Sequence, residues 1–209
     1  MGGRRVTTVN GGLLITFEGL ERVGKTTQVL RLANWLQGLG LQVVTLREPG
    51  GTPLGEALRQ VVLKAAGAES PMAEFLIFAA ARAELYFSAV RPALQQNGVV
   101  IMDRFTDSSL AYQAFGRGTP REMVSAINHW VTEGRRPDLT FWLAGEELEG
   151  RGGDRLEDRD DAFFARVAAG YAELARQEPG RWKVIAARQP IDAVAAAVRA
   201  AVATRIGIE

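Results

Sequence analysis

The 209-residue sequence contains no cysteine. That excludes a disulfide framework, a thiolate nucleophile and a thiolate metal site. It contains a single histidine, His129. No histidine-based catalysis can be built from it, and its place beside Trp130 reads as packing or surface. Long apolar runs are also missing. The first run, at residues 13–17, is too short for a signal peptide or a membrane span and follows a polar start containing Arg4 and Arg5. Nor does charge of one sign dominate: 25 Lys and Arg stand against 24 Asp and Glu, a net charge of +1. No global field then draws the chain to nucleic acid or to a membrane, and any anion site must be local. The pairs Arg4-Arg5 and Arg135-Arg136 are too short to make a nucleic-acid footprint. The reading is a cytoplasmic protein of one domain, with residues 1–12 as a flexible tail and residues 13–209 as the folded unit.

The chain does have Gly19-Leu20-Glu21-Arg22-Val23-Gly24-Lys25-Thr26. This is a complete G-x-x-x-x-G-K-[ST] stretch, the phosphate-binding P-loop. Its surroundings match. Leu13-Leu14-Ile15-Thr16-Phe17 reads as a buried strand. Residues 27–39 read as a helix, with Val29, Leu32, Ala33 and Leu36 at helical spacing. The glycines let the backbone wrap so that successive N–H groups point at phosphate oxygens, and the helix N-terminus adds partial positive charge. In that geometry Lys25 reaches the β- and γ-phosphates of ATP, and the Thr26 hydroxyl ligates Mg²⁺.

The rest alternates. Strands are expected at 42–46, 99–102, 139–143 and 182–185. Helices are expected at 54–66, 71–89, 107–115, 121–132, 161–177 and 191–205, and residues 91–96 continue helically. Ser70 caps the long helix, with Pro71 at its first position. Strand–helix alternation implies a three-layer α/β fold with a five-stranded parallel sheet between helices. Val99-Val100-Ile101-Met102 is continuously apolar, as a central strand covered on both faces should be. It ends on Asp103-Arg104, at the carboxyl edge where parallel sheets bind ligands. Asp103 there can hold Mg²⁺ or can simply cap the next turn; the P-loop favours the metal. Arg104 can clamp a phosphate.

Several blocks resemble the thymidylate kinase family. They are Phe17-Glu18-Gly19-Leu20-Glu21, Gly24-Lys25-Thr26-Thr27-Gln28, Arg47-Glu48-Pro49-Gly50-Gly51-Thr52 and Asp103-Arg104-Phe105 with Asp107-Ser108-Ser109-Leu110-Ala111-Tyr112-Gln113. Arg136-Pro137-Asp138-Leu139-Thr140 and Asp154-Arg155-Leu156-Glu157 extend the match over nearly the whole chain after residue 12. The resemblance implies transfer of the γ-phosphoryl of ATP to dTMP, with Mg²⁺, in a homodimer. It also implies roles. Glu21 accepts from the deoxyribose 3′-hydroxyl. Phe78 stacks on thymine and Arg82 bonds its edge, the two lying one turn apart on one helix face. On the residues alone, Phe78 reads as a core aromatic. Tyr112 excludes a ribose 2′-hydroxyl, Ser109 lies near the base, and Arg47 and Arg104 grip the monophosphate.

The attacking phosphate oxygen is already anionic, so the reaction needs positioning and charge neutralisation rather than a general base. The candidate cations are Lys25, Arg22, Arg104 and the arginines Arg151, Arg155 and Arg159, which fall in the segment resembling the family's lid, residues 145–160. The stretch from Leu143 to Arg151 is several residues shorter than the pattern, and the P-loop carries an arginine of its own. The expectation is that Arg22 is the main catalytic arginine and that the lid arginines close over ATP. The alternatives are another deoxynucleotide kinase of this fold, or a lapsed homologue that binds nucleotide without turnover.

Overall fold

A computed structural model describes residues 9, 11–64, 70–145 and 161–208. The central sheet is parallel, with β1 (Leu13–Glu18), β2 (Val43–Arg47), β3 (Val99–Asp103), β4 (Leu139–Ala144) and β5 (Trp182–Ala186) in the order β2-β3-β1-β4-β5. β1 is therefore central, with Leu13 opposite Val99 and Ile15 opposite Leu139. This is the α/β P-loop architecture expected from the alternation.

β1 shows why the site lies at one end. Leu13, Ile15 and Phe17 point to a core shared with α1 (Lys25–Gly38) and α8 (Ile191–Ile206). On the opposite face, Leu14 packs against Leu85, Val90 and Val100. The next residues on that face are Thr16 and Glu18, both fully buried and polar. Thr16 donates to the Thr140 hydroxyl at 2.9 Å. The face thus turns from hydrocarbon to hydrogen-bonding groups toward the carboxyl end. Buried polar groups need partners, and these come from the segments that follow β3.

The second layer is built from α2 (Pro53–Lys64), α3 (Pro71–Leu85), a π-helical turn (Tyr86–Val90) and α4 (Arg91–Gln95). The long helix starts where expected: Ser70 Oγ accepts from Ala73 N at 3.3 Å, with Pro71 at the first position. Helix continues without a break to Gln95 through the π turn. After β3 come α5 (Thr106–Ser109), a second π-helical turn (Leu110–Gly116) and α6 (Arg121–Val131). The single helix expected over 107–115 is thus half π. Single π turns inside helices mark functional sites.

The helix α7 (Asp161–Gln177) lies against the second π turn. Two glycines permit the fit. A Cβ on Gly116 would meet the Phe163 ring at 2.6 Å, and one on Gly170 would meet Phe115 at 2.7 Å. The expected lid, residues 145–160 with Arg151, Arg155 and Arg159, lies outside the described residues apart from Gly145, as does the tail apart from Val9, Gly11 and Gly12.

Candidate active site

The P-loop links β1 to α1, and Lys25 is the first residue of the helix. Gly24 adopts φ +90°. Gly19 adopts φ +136°, and a Cβ there would lie 2.6 Å from the Leu143 carbonyl oxygen, so only glycine fits against β4. Arg22 takes φ +54°, a left-handed conformation uncommon outside glycine.

A cavity of about 490 Å³ opens from this loop. It is within the size of small-molecule sites, roughly 300–1,000 Å³. At one end are Lys25, Thr26 and Asp103. The Thr26 hydroxyl donates to Asp103 Oδ2 at 2.7 Å. Two hard oxygen ligands thus converge beside the P-loop. That fits Mg²⁺, which is held by one or two protein oxygens plus phosphates and water.

Lys25 is buried and donates to the Leu20 carbonyl at 2.5 Å. Burial, and next the Arg104 guanidinium, push its ammonium down to about 8. Arg104 is in the left-handed region too, with φ +69°, where its N–H donates to the Phe17 carbonyl at 3.0 Å. Its guanidinium lies 5.0 Å from the centre of the Tyr112 ring and donates to Gly19 O (3.0 Å), Ser108 Oγ (3.2 Å) and Glu21 Oε1 (2.6 Å). Arg104 is the leading cause that holds the Glu21 carboxyl below its ordinary value.

Beneath Arg104 lies a polar group that the sequence reading did not single out. Glu18 accepts from Phe105 N (2.9 Å), Ser108 Oγ (2.5 Å) and Tyr171 Oη (3.0 Å). Burial first, and then the Asp107 charge, raise its carboxyl to about 7.

The far end of the cavity is lined by Phe78, Arg82, Glu48, Ser109 and Gln113. Phe78 is half-buried on the cavity wall and belongs to none of the core clusters, unlike its neighbour Phe75. The ring is thus part of the cavity lining and not of the core. Arg82 is almost wholly buried, and its acceptors are supplied by the protein. Nε donates to Glu48 at 2.8 Å, Nη1 to Asn128 Oδ1 at 2.5 Å, and Nη2 to Ser109 Oγ at 3.0 Å and Phe105 O at 3.3 Å. A guanidinium has five N–H groups, and acceptors among the described residues take four of them. Burial raises the Glu48 carboxyl while Arg82 opposes it, and Glu48 Oε1 has no hydrogen-bond partner among the described residues.

Every described residue expected in the site other than Leu20, Gly19 and Val23 lines this one cavity. Those three contribute backbone, and Val23 is buried. Arg47 reaches the cavity, but its guanidinium is held by Glu56 through contacts of 2.8 and 3.0 Å. Among the cavity residues without an assigned role are Arg59 and Gln113. Arg59 donates to the Pro49 carbonyl at 3.2 Å, and its charge helps to lower the Glu21 carboxyl. Its signal was Gly55 one turn earlier, which brings α2 against the Gly50 loop. Gln113 follows Tyr112 on the π turn, which no sequence period announces. Arg151 and Arg155 lie outside the described residues.

The family model for thymidylate kinase matches residues 17–198. The chain belongs to the thymidylate kinase family. It is 43% identical over 206 residues to the thymidylate kinase of Alkalilimnicola ehrlichii, covering 93% of this chain and 94% of that one. The thymidylate kinase of Deinococcus radiodurans is 45% identical over 201 residues, covering 93% and 98%. A crystal structure of thymidylate kinase from Ehrlichia chaffeensis superposes with a TM-score of 0.78 at 36% identity, covering 92% of this chain and 98% of that one.

Proposed function

We propose that this thymidylate kinase family member transfers the γ-phosphoryl group of ATP to dTMP, giving dTDP and ADP. The observation that carries the reading is that one cavity joins the P-loop lysine to the Phe78–Arg82 pocket. Donor phosphates rest on the P-loop amides and Lys25. The acceptor phosphate lies between Arg104 and Arg59, and an anionic oxygen of that phosphate attacks the γ-phosphorus as the bond to the β-phosphate oxygen breaks. No proton has to be removed first. Arg22 neutralises charge on the transferring group. Thr26 and Asp103 would hold Mg²⁺, which when bound neutralises phosphate charge.

At the base end Phe78 stacks on thymine, Arg82 gives its remaining N–H to O4, and Gln113 faces the imide edge with Ser109 beside it. Glu21, released from Arg104 when the phosphate arrives, accepts from the 3′-hydroxyl. Tyr112 fills the place of a 2′-hydroxyl. Arg47, pinned by Glu56, acts at the rim. The lid at 145–160 closes over ATP with Arg151 and Arg155.

The same reading makes the protein a cytoplasmic homodimer without nucleic-acid or membrane partners. Among the described residues no helix is long and apolar enough to cross a membrane. The contacting helices α3 and α6 expose Leu76, Met123 and Trp130, the last 81% accessible. Such a face suits a second copy, and sedimentation of the purified chain reads it directly.

The deciding experiment is coupled ADP release with ATP and Mg²⁺ against dTMP, dUMP, dCMP, UMP and dAMP. Turnover that prefers dTMP with UMP poor is expected. Preference for another acceptor would keep the P-loop chemistry and overturn the base pocket. ATP binding without turnover would favour a lapsed homologue.

A further inference from the structure

Glu74, Phe78 and Arg82 follow one another at four-residue intervals on one face of α3. Phe78 and Arg82 line the cavity, whereas Glu74 does not. It is nonetheless 2% exposed, a carboxylate in the protein interior. Its Oε1 accepts from Gln113 Nε2 at 3.2 Å, and its Oε2 lies 3.9 Å from Arg117 Nη1. Such a carboxylate is costly to bury and is kept only with partners. One of its partners here is the amide side chain among the cavity residues, Gln113.

A side-chain amide has two ends of opposite hydrogen-bonding sense, and rotating it by half a turn exchanges them. Gln113 offers Nε2 to Glu74 Oε1, so its other end, Oε1, is the one turned elsewhere. No described residue donates to Oε1. Gln113 is itself 3% exposed and lines the cavity.

We infer that Glu74 is the positioning residue that fixes the Gln113 amide with its acceptor toward the base, and that it thereby selects a pyrimidine with an imide N–H over one with a bare ring nitrogen. Thymine presents N3–H, a donor, to Gln113 Oε1. Cytosine presents N3 as an acceptor, so two acceptors face each other. The inference rests on the base-facing role given to Gln113 above. Glu74 touches no substrate; it acts through the amide.

The test is steady-state inhibition of dTMP phosphorylation by dCMP in wild type, Glu74→Gln, Glu74→Asp and Gln113→Leu. It reads the ratio of the dCMP Ki to the dTMP KM. In Glu74→Gln the new amide can donate to Gln113, which frees the Gln113 amide to turn, and the ratio should fall by about tenfold or more. Glu74→Asp keeps an acceptor-only group and should keep the ratio near that of wild type. Gln113→Leu should lower the ratio by itself, and adding Glu74→Gln to it should change nothing further. A purely structural Glu74 would raise both constants together and leave the ratio intact in Glu74→Gln, which overturns the inference. If Gln113→Leu leaves the ratio unchanged, the base-facing role of Gln113 is wrong. If Gln113→Leu lowers it and Glu74→Gln does not, only the role of Glu74 fails. Should Glu74→Gln not fold, Glu74→Ala, which also frees the amide, carries the same expectation.

Discussion

Arg104 Nη2 lies 2.6 Å from Glu21 Oε1, across the space between the P-loop and the loop that follows β3. On the proposed reading the pair holds together two groups that later bind substrate. On that reading each exchanges its partner, Arg104 for a phosphate and Glu21 for a hydroxyl. Removing the Arg104 cation should therefore harm binding and transfer together. Arg104→Ala is expected to raise the dTMP KM and to lower kcat by roughly 10²–10³-fold. Arg104→Lys should recover only a small part, because lysine lacks the planar fork. Initial-rate kinetics at saturating ATP check this, and a wild-type kcat in Arg104→Ala would remove Arg104 from the chemistry.

Lys25 makes the P-loop sensitive to pH. Its ammonium is pushed down to about 8 by burial and by Arg104. Near that pH about half of the ligand-free protein carries a neutral Lys25. Phosphates entering the loop restore the charge, so ATP binding at pH 8 should take up a fraction of a proton. Calorimetry in two buffers of different ionisation enthalpy measures the uptake. In Lys25→Arg, where the side chain is always charged, it should vanish. An identical heat of binding in both buffers for the wild type would contradict the prediction.

The 2.7 Å contact between Thr26 and Asp103 predicts a metal phenotype. Asp103→Asn keeps the shape and removes the charge. The Mg²⁺ concentration giving half-maximal rate should rise by about 10- to 100-fold. The measurement is rate against free Mg²⁺ at fixed ATP. An unaltered Mg²⁺ curve with a lower plateau would place Asp103 outside the metal site.

Glu18 predicts a stability trend. Its folded carboxyl is raised from 4.5 to about 7, first by burial and then by Asp107. A group raised in this way contributes stability that is fully present below its unfolded pKa and is lost as pH rises through the folded one. Glu18→Gln has no such titration. The melting temperature of wild type minus that of Glu18→Gln should therefore decrease between pH 5 and pH 8. Parallel melting curves across that range would contradict it.

The P-loop arginine is expected to outrank the lid. Arg22→Ala should reduce kcat by orders of magnitude and by more than Arg155→Ala does. Single-turnover rates of the two variants decide the order. The reverse ranking would hand the neutralising role to the lid.

How much of this could be read from the chain depends on distance along it. Strands and helices were legible because the pattern is local: Leu13 to Phe17 is apolar throughout, and Ser70-Pro71 marks a helix start without reference to anything else. Residues 19–26 carry their own geometry, so Lys25 and Thr26 were legible as well. Phe78 was ambiguous, since four apolar residues in a row do not say which one faces a cavity. Arg82 was placed one turn from Phe78, yet its partners Glu48, Asn128 and Ser109 come from three other segments. Arg59, Gln113 and Glu18 were missed for related reasons. Arg59 looks like any polar residue on an amphipathic helix. Gln113 sits on a π turn that has no period to detect. Glu18 closes a strand whose register alone shows that its face has become polar.

The meshing of Gly116 with Phe163 and of Gly170 with Phe115 has a consequence for how the pocket can change. Neither glycine bears a functional group, and neither lines the cavity. Yet between them they set the distance at which the turn carrying Tyr112 and Gln113 rests against α7. A methyl group at either place forces apart two surfaces whose gap is already closed. The dimensions of the cavity are thus inherited from residues that do not line it. A search for variants with altered acceptor preference can begin at those two silent positions as well as on the cavity wall.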